Sequence, residues 1–211
     1  MIDTKLRSSV QPTFDLIGKG FAKAGLTPDT ITIGAFVVGV AAATSLGYGF
    51  TIISLVLLWL SGLLDVLDGT VARLTQHSTK VGAYLDLIFD RAVEGAMILG
   101  FYGWMPELAW ALLLFMVGAM FNFTTFLVAA SLFDNKGKKS MHYDVGLVER
   151  TETFILFTLM ILVPSYAFIL LMVFNGIMIF TGIRRFGRVI LFQKNNEEVH
   201  HASTTPIKNN H

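Results

Sequence analysis

The 211 residues include no cysteine, only five prolines and few charges: Asp, Glu, Lys and Arg make up 15%, against 54% apolar residues. Without cysteine there is no disulfide framework, no thiolate nucleophile and no thiolate-bound metal. Soluble domains carry roughly a quarter charged residues, so the shortage of charge argues against an ordinary soluble domain. Such apolar content also excludes intrinsic disorder. The formal net charge of +1 says little by itself; the placement of the charges is what informs. The length suits one domain.

The charges fall in bands. Residues 31–64 contain none, 95–133 contain only Glu107, and 153–183 contain none. A membrane-crossing helix needs about 20 mostly apolar residues, so each band has room for one or two crossings. The core of a soluble bundle would not need runs of this length. Gly47-Tyr48-Gly49 divides the first band into predicted spans at 32–46, extending to 48, and 51–68. Residues 81–102 are apolar but carry Asp86, Asp90, Arg91 and Glu94, and are read as a third span. A turn at Gly103-Trp104-Met105-Pro106 leads to a fourth span at 108–132. The polar loop 134–144 precedes a fifth at 148–162, and Pro164-Ser165 turns the chain into a sixth at 167–186. The expected fold is all-α, a polytopic membrane protein with six transmembrane helices over residues 31–190. Residues 1–30 form an amphipathic interfacial helix and linker, and 191–211 a polar, disordered cytoplasmic tail.

The basic residues orient this pattern. Lys5, Arg7, Lys19 and Lys23 precede the first span, and Arg73 and Lys80 lie between the second and third. Lys136, Lys138 and Lys139 lie between the fourth and fifth, and Arg184, Arg185, Arg188 and Lys194 at or beyond the end of the sixth. The turns near Gly47, Gly103 and Pro164 have no Lys or Arg, so the positive-inside rule places both termini in the cytoplasm. The first segment repeats Leu6, Val10, Phe14, Ile17 and Phe21 at helical spacing but is too polar to cross. It lacks the apolar core and cleavage site of a signal peptide. Thr30 or Thr32 is the expected cap of the first span. His200, His201 and His211 have no ligand spacing and read as solvated tail.

Acids at membrane depth are expensive and mark function or pairing. Asp65 and Asp68 are three apart, Asp86 and Asp90 four apart, so each pair shares a helix face. A short connection makes the two helices antiparallel neighbours, and the four carboxylates converge. Like charges so crowded call for a cation. Oxygen-only ligands favour Mg²⁺ or Mn²⁺ over zinc. The competing reading is an ion-pair network of Asp86, Asp90 and Glu94 with Arg73 and Arg91. Gly69 and Gly82 permit close approach of a ligand, and Arg73 suits an anionic phosphate. The chemistry suggested is phosphoryl transfer at the cytoplasmic membrane face, with a carboxylate available as base.

Together these residues read Asp65-x-x-Asp68-Gly69-x-x-Ala72-Arg73, eight residues, then Gly82-x-x-x-Asp86-x-x-x-Asp90. This resembles the signature of the CDP-alcohol phosphotransferases, also called CDP-alcohol phosphatidyltransferases, at all eight fixed positions. The resemblance implies a homodimer in which a CDP-linked lipid, most often CDP-diacylglycerol, binds at the membrane surface and an alcohol displaces CMP. It implies that Asp65, Asp68 and Asp86 coordinate the metal. Asp90 is then the general base and touches a second ion, giving two Mg²⁺ or Mn²⁺ per subunit. Gly69, Ala72, Arg73 and Gly82 resemble the nucleotide and pyrophosphate contacts. The expected localisation is the inner or cell membrane, and no nucleic-acid partner is expected. With no second soluble domain expected, the CDP-activated donor comes from elsewhere.

The acceptor is less legible. Arg91, Lys136, Lys138, Lys139 and Arg150 are the candidate acceptor-binding residues. Inositol-phosphate users of the family resemble this chain in the arginine after the last aspartate and in an arginine near the start of the fifth span. These cations suit a phosphorylated acceptor such as inositol phosphate or glycerol phosphate. They also satisfy the positive-inside rule, so serine, inositol or a glycerolipid stays open, and Glu149 and Glu152 leave room for an amino group. A small cation transporter is a different class of reading, but its acids would trace a path across the membrane. An inactive relative would be free to lose an aspartate. Gly34, Gly39 and residues 41–43 read as packing positions, Asn122 and Asn175 as interhelical hydrogen bonders, and Tyr102, Trp104 and Trp110 as an interfacial aromatic belt.

Overall fold

A computed structural model describes residues 2–77, 79–132 and 150–204, with side chains described over 11–77, 79–128 and 150–191. The described chain is all α-helix apart from turns: α1 (Ile2–Lys23), α2 (Pro28–Gly47), α3 (Thr51–Leu74), α4 (Lys80–Trp104), α5 (Ala109–Leu132), α6 (Arg150–Leu162) and α7 (Ala167–Thr204). Short 3₁₀ turns at Pro106–Leu108 and Pro164–Tyr166 lead into α5 and α7. Helix α7 therefore continues well past residue 191, where the sequence suggests a disordered tail.

Local chemistry sets the boundaries near the membrane surface. Gly25 takes a left-handed φ of 77° after α1. Thr27 then caps α2, accepting from the Thr30 N–H at 3.3 Å, with Pro28 in the first turn where its missing N–H costs nothing. The cap thus lies earlier than Thr30 or Thr32. Thr79 caps α4 by accepting from the Gly82 N–H at 2.9 Å.

The expectation of six transmembrane helices is corrected. Among the described residues, four helical stretches are long and apolar enough to cross a membrane: Pro28–Gly47, Thr51–Leu74, Pro106–Val128 and Pro164–Leu191. Helix α4 has the length but carries Asp86, Asp90, Arg91 and Glu94. Helix α6 has only 13 described residues, short of the roughly 20 a crossing needs. The molecule is an all-α, multi-spanning integral membrane protein, with four helices among the described residues plausible as spans.

Small residues bring α2, α3 and α4 together. A Cβ on Gly39 would lie 2.6 Å from Val93 Cγ2 and 2.9 Å from Ser61 Oγ. Ser61 Oγ in turn donates to the Ala35 carbonyl at 2.7 Å. A Cβ on Gly100 would lie 2.4 Å from the Ala43 carbonyl oxygen, so α2 and α4 meet backbone to backbone. Ala42 and Ala43 are buried, whereas Gly34 faces open space. Helices α5 and α7 pair through amides. Asn175 Nδ2 donates to Ala111 O at 2.9 Å, and Asn122 Nδ2 to Met178 O at 2.7 Å. Helix α6 links the two groups. Trp59 Nε1 donates to Thr158 Oγ1 at 3.1 Å, and Phe157 packs between Phe101 and Phe115 at centroid distances of 5.3 and 6.0 Å. Helix α1 rests against the C-terminal end of α3, with Gly18 facing Thr70 and Leu74.

Candidate active site

Helices α3 and α4 are joined by a short connection and both pack on α2, which brings the acids of the C-terminal part of α3 and the N-terminal part of α4 together. Asp65, Asp68 and Asp86 each offer a carboxylate oxygen, and these oxygens lie within 4.8 Å of one another. Three acceptor-only carboxylates at that separation repel one another and suit a hard divalent cation. The residues present fit a Mg²⁺ or Mn²⁺ site. Helix α2 also contributes to the cluster. Thr32 Oγ1 donates to Asp68 Oδ2 at 2.6 Å, and both side chains are buried. The sequence marks Thr32 only as a possible helix cap, not as a partner of the acids.

A cleft of about 220 Å³ opens beside the cluster, lined by Asp68, Gly69, Ala72 and Arg73 of α3 and Gly82 and Asp86 of α4. Pro28, Asp29 and Thr32 close it from α2, and His77 and Thr79 from the connection. Six of the eight signature residues therefore face one space. Gly82 has a steric reason to be there, whereas Gly69 would bring a Cβ only to ordinary contact. A Cβ on Gly82 would lie 2.9 Å from Asp29 Oδ1, and one on Gly69 3.4 Å from an Arg73 guanidinium nitrogen. Arg73 also donates to Thr70 Oγ1 at 3.0 Å.

Asp90 lies one turn further along α4, beside the triad. It forms an ion pair with Arg150, and the same guanidinium nitrogen pairs with Asp65. Arg150 therefore ties α6 to both α3 and α4. The ion-pair reading of the acids holds in part, with Arg150 in place of Arg73, and Glu94 paired with Arg91. Behind this pair lies a second cavity, of about 170 Å³, between α4, α5, α6 and α7. Three guanidinium groups line it: Arg91, Arg150 and Arg185. Each also lies over a phenylalanine ring, Phe123, Phe154 and Phe126 respectively, at 5.2–5.8 Å from the centroid. Glu94, Asn122 and Thr153 add polar groups to the wall, and Arg185 donates to the Asn122 carbonyl at 3.2 Å.

The structure thus brings Arg91 and Arg150 together as acceptor candidates. It adds Arg185, which the sequence shows only as one of a basic group at the end of the last span. Lys136, Lys138 and Lys139 lie outside the described residues.

Comparisons with known proteins bear on this arrangement. Residues 25–183 match the family model described as CDP-alcohol phosphatidyltransferase. The chain is 36% identical over 174 residues to inner membrane protein YnjF of Escherichia coli (strain K12), covering 79% of this chain and 84% of that protein. It is 31% identical over 141 residues to phosphatidylinositol phosphate synthase of Mycobacteroides abscessus, covering 66% of this chain and 64% of that one. The crystal structure of Mycobacterium tuberculosis phosphatidylinositol phosphate synthase (PgsA1) with CDP-DAG bound superposes with a TM-score of 0.71 at 26% identity, over 83% of this chain and 92% of that one. The same enzyme in complex with manganese and citrate gives the same TM-score over 88% of its length.

Proposed function

The chain belongs to the CDP-alcohol phosphatidyltransferase family and is a metal-dependent CDP-alcohol phosphotransferase; from that premise we propose that it transfers the phosphatidyl group of CDP-diacylglycerol to a phosphorylated alcohol, inositol phosphate fitting best. The observation that carries the acceptor is the cavity with three arginines next to Asp90. Three guanidinium groups suit a phosphate monoester, which accepts bidentate hydrogen bonds. Serine or free inositol offers no phosphate oxygens to those guanidinium groups.

Each residue has its share of the reaction. The acceptor hydroxyl oxygen forms a bond to the lipid-side phosphorus, the bond from that phosphorus to the CMP oxygen breaks, and the hydroxyl proton passes to Asp90. A hydroxyl is a weak nucleophile at neutral pH and needs such a base within hydrogen-bond reach. Arg73 donates to diphosphate oxygens, and Gly69, Ala72 and Gly82 let the nucleotide lie against backbone. A divalent cation on Asp65, Asp68 and Asp86 supplies neutralisation of the diphosphate charge and of the leaving CMP. A second ion touching Asp90 belongs to the same proposal. Arg73 in the last turn of α3, and Arg184, Arg185 and Arg188 toward the end of the apolar stretch Pro164–Leu191 of α7, support a cytoplasmic site under the positive-inside rule, with both termini on that side of the inner or cell membrane. Helix α1 lies in the plane of that surface, and the family resemblance supports a homodimer.

The test is CMP release by full-length protein in liposomes, given CDP-diacylglycerol, Mn²⁺ or Mg²⁺ and one acceptor at a time. Inositol phosphate should stimulate release more than glycerol 3-phosphate, and serine and inositol should not. Stimulation by serine or inositol alone would refute a phosphorylated acceptor.

A further inference from the structure

The guanidinium of Arg150 occupies an unusual place. It forms one wall of the arginine cavity, yet its charge is committed to two carboxylates of the acidic cluster, Asp65 on α3 and Asp90 on α4. Its side chain is 22% exposed, and those of Asp65 and Asp90 are 19% and 20% exposed, so solvent screens the three only partly. The ring of Phe154, 5.2 Å from the guanidinium carbon, restricts its plane. The other two cavity arginines have separate partners: Arg91 pairs with Glu94, and Arg185 bonds the Asn122 carbonyl. The single charge of Arg150 stands between two sites, the carboxylates of Asp65 and Asp90 on one side and the cavity on the other.

We propose that Arg150 is a positioning residue coupling the two cavities: it neutralises Asp65 and Asp90, and turns to an anionic acceptor when a divalent cation takes those carboxylates. The inference rests on the function proposed above and goes beyond it in assigning an order of dependence. The physical argument is competition for charge. A guanidinium against Asp65 repels a divalent cation seeking the same oxygens. A cation that displaces it leaves a full positive charge facing the cavity, where a phosphate monoester accepts two hydrogen bonds from it. Coupling of this kind is reciprocal, so the anion strengthens cation binding by the factor by which the cation strengthens anion binding. Until the cation binds, the same pairing keeps Asp90 from acting as base toward water.

The competition has a sign that a purely structural role would not produce. Free Mn²⁺ is followed by electron paramagnetic resonance during titration of full-length protein in nanodiscs, with and without saturating inositol phosphate. In the parent protein the anion should tighten Mn²⁺ binding by on the order of fivefold or more. In Arg150→Ala, Mn²⁺ should bind more tightly than to the parent when no anion is present, because its competitor is gone, and the anion's effect should vanish. Arg150→Lys keeps the charge but loses the fork, and should retain part of the coupling.

If Arg150 merely holds the acids in place, Arg150→Ala binds Mn²⁺ more weakly, and the proposal falls. It falls equally if the anion tightens Mn²⁺ binding as much in Arg150→Ala as in the parent, since direct attraction between anion and cation then explains the effect. Should Arg150→Ala not fold, an Arg150→Lys protein with undiminished coupling or weakened Mn²⁺ binding overturns it as well. A parent protein that binds no Mn²⁺ at all would instead remove the metal-dependent reading on which the inference stands.

Discussion

Replacing Gly100 by alanine tests the packing of α2 on α4 most directly. The added Cβ would stand 2.4 Å from the Ala43 carbonyl oxygen, where ordinary contact starts at 3.4 Å. The obstacle is backbone, which cannot rotate away, so the helices must part by about 1 Å locally. Overpacking of this kind costs up to about 3 kcal/mol. The exchange of glycine for alanine in a helix returns about 1 kcal/mol, leaving a loss of about 2 kcal/mol. For a globular chain of this size each kcal/mol moves the melting temperature by about 2–4 °C, so the midpoint should fall by about 4–8 °C. Gly95 lies on the same helix, and a Cβ added there would meet nothing within 4 Å. Gly95→Ala should therefore keep the propensity gain and melt about 2–4 °C higher than the parent. Thermal unfolding of the two variants and the parent in one detergent, followed by circular dichroism, decides the matter. A Gly100→Ala protein as stable as the parent would refute the close approach, and two variants falling together would refute the contrast. Asp86 lies about 21 Å from Gly100 along α4 at 1.5 Å per residue, so turnover per folded Gly100→Ala molecule should survive.

Three other substitutions address the chemistry. Asp90→Asn should keep nucleotide binding and lose most turnover; near-parental CMP release would end its assignment as base. Asp65→Asn should weaken Mn²⁺-dependent nucleotide binding itself, and an unchanged Mn²⁺ requirement would count against a ligand role. Thr32→Val removes the hydroxyl that bonds Asp68 at 2.6 Å. A hydrogen bond to a charged group contributes about 1.5–3 kcal/mol, so the Mn²⁺ concentration giving half-maximal CMP release should rise roughly tenfold. An unshifted Mn²⁺ midpoint would show that Thr32 does not orient Asp68.

The acidic cluster was legible in the sequence because helical spacing is local information. Residues three or four apart share a face whatever the rest of the chain does, and a short connection then brings two such faces together. Thr32 reaches Asp68 from another helix, and a lone threonine in a long apolar run carries no periodic mark. Arg150 was visible as a cation near the acceptor, but its pairing with Asp65 and Asp90 depends on how α6 docks. Arg185 is hidden for a different reason: basic residues at the end of a span are expected from topology alone. The count of crossings differs at α4, where charge weighs against band length, and at α6, whose described part of 13 residues is short for a crossing. The cap of α2 was within reach, since a proline in the first turn points to the residue before it, Thr27.

The chain order of one ion pair has a consequence for synthesis. Arg150 follows both Asp65 and Asp90 in the sequence, so α3 and α4 leave the ribosome before the cation that joins them exists. At about 5–20 residues per second, the wait after Asp90 lasts about 3–12 s. During that interval the nascent protein holds two carboxylates near the membrane without their arginine, while α2 can already clasp α3 and α4 through Ser61, Gly39 and Gly100. A chain interrupted after α5 would be left in that condition permanently. Docking of α6 is thus the step that neutralises the two acids of the unfinished bundle.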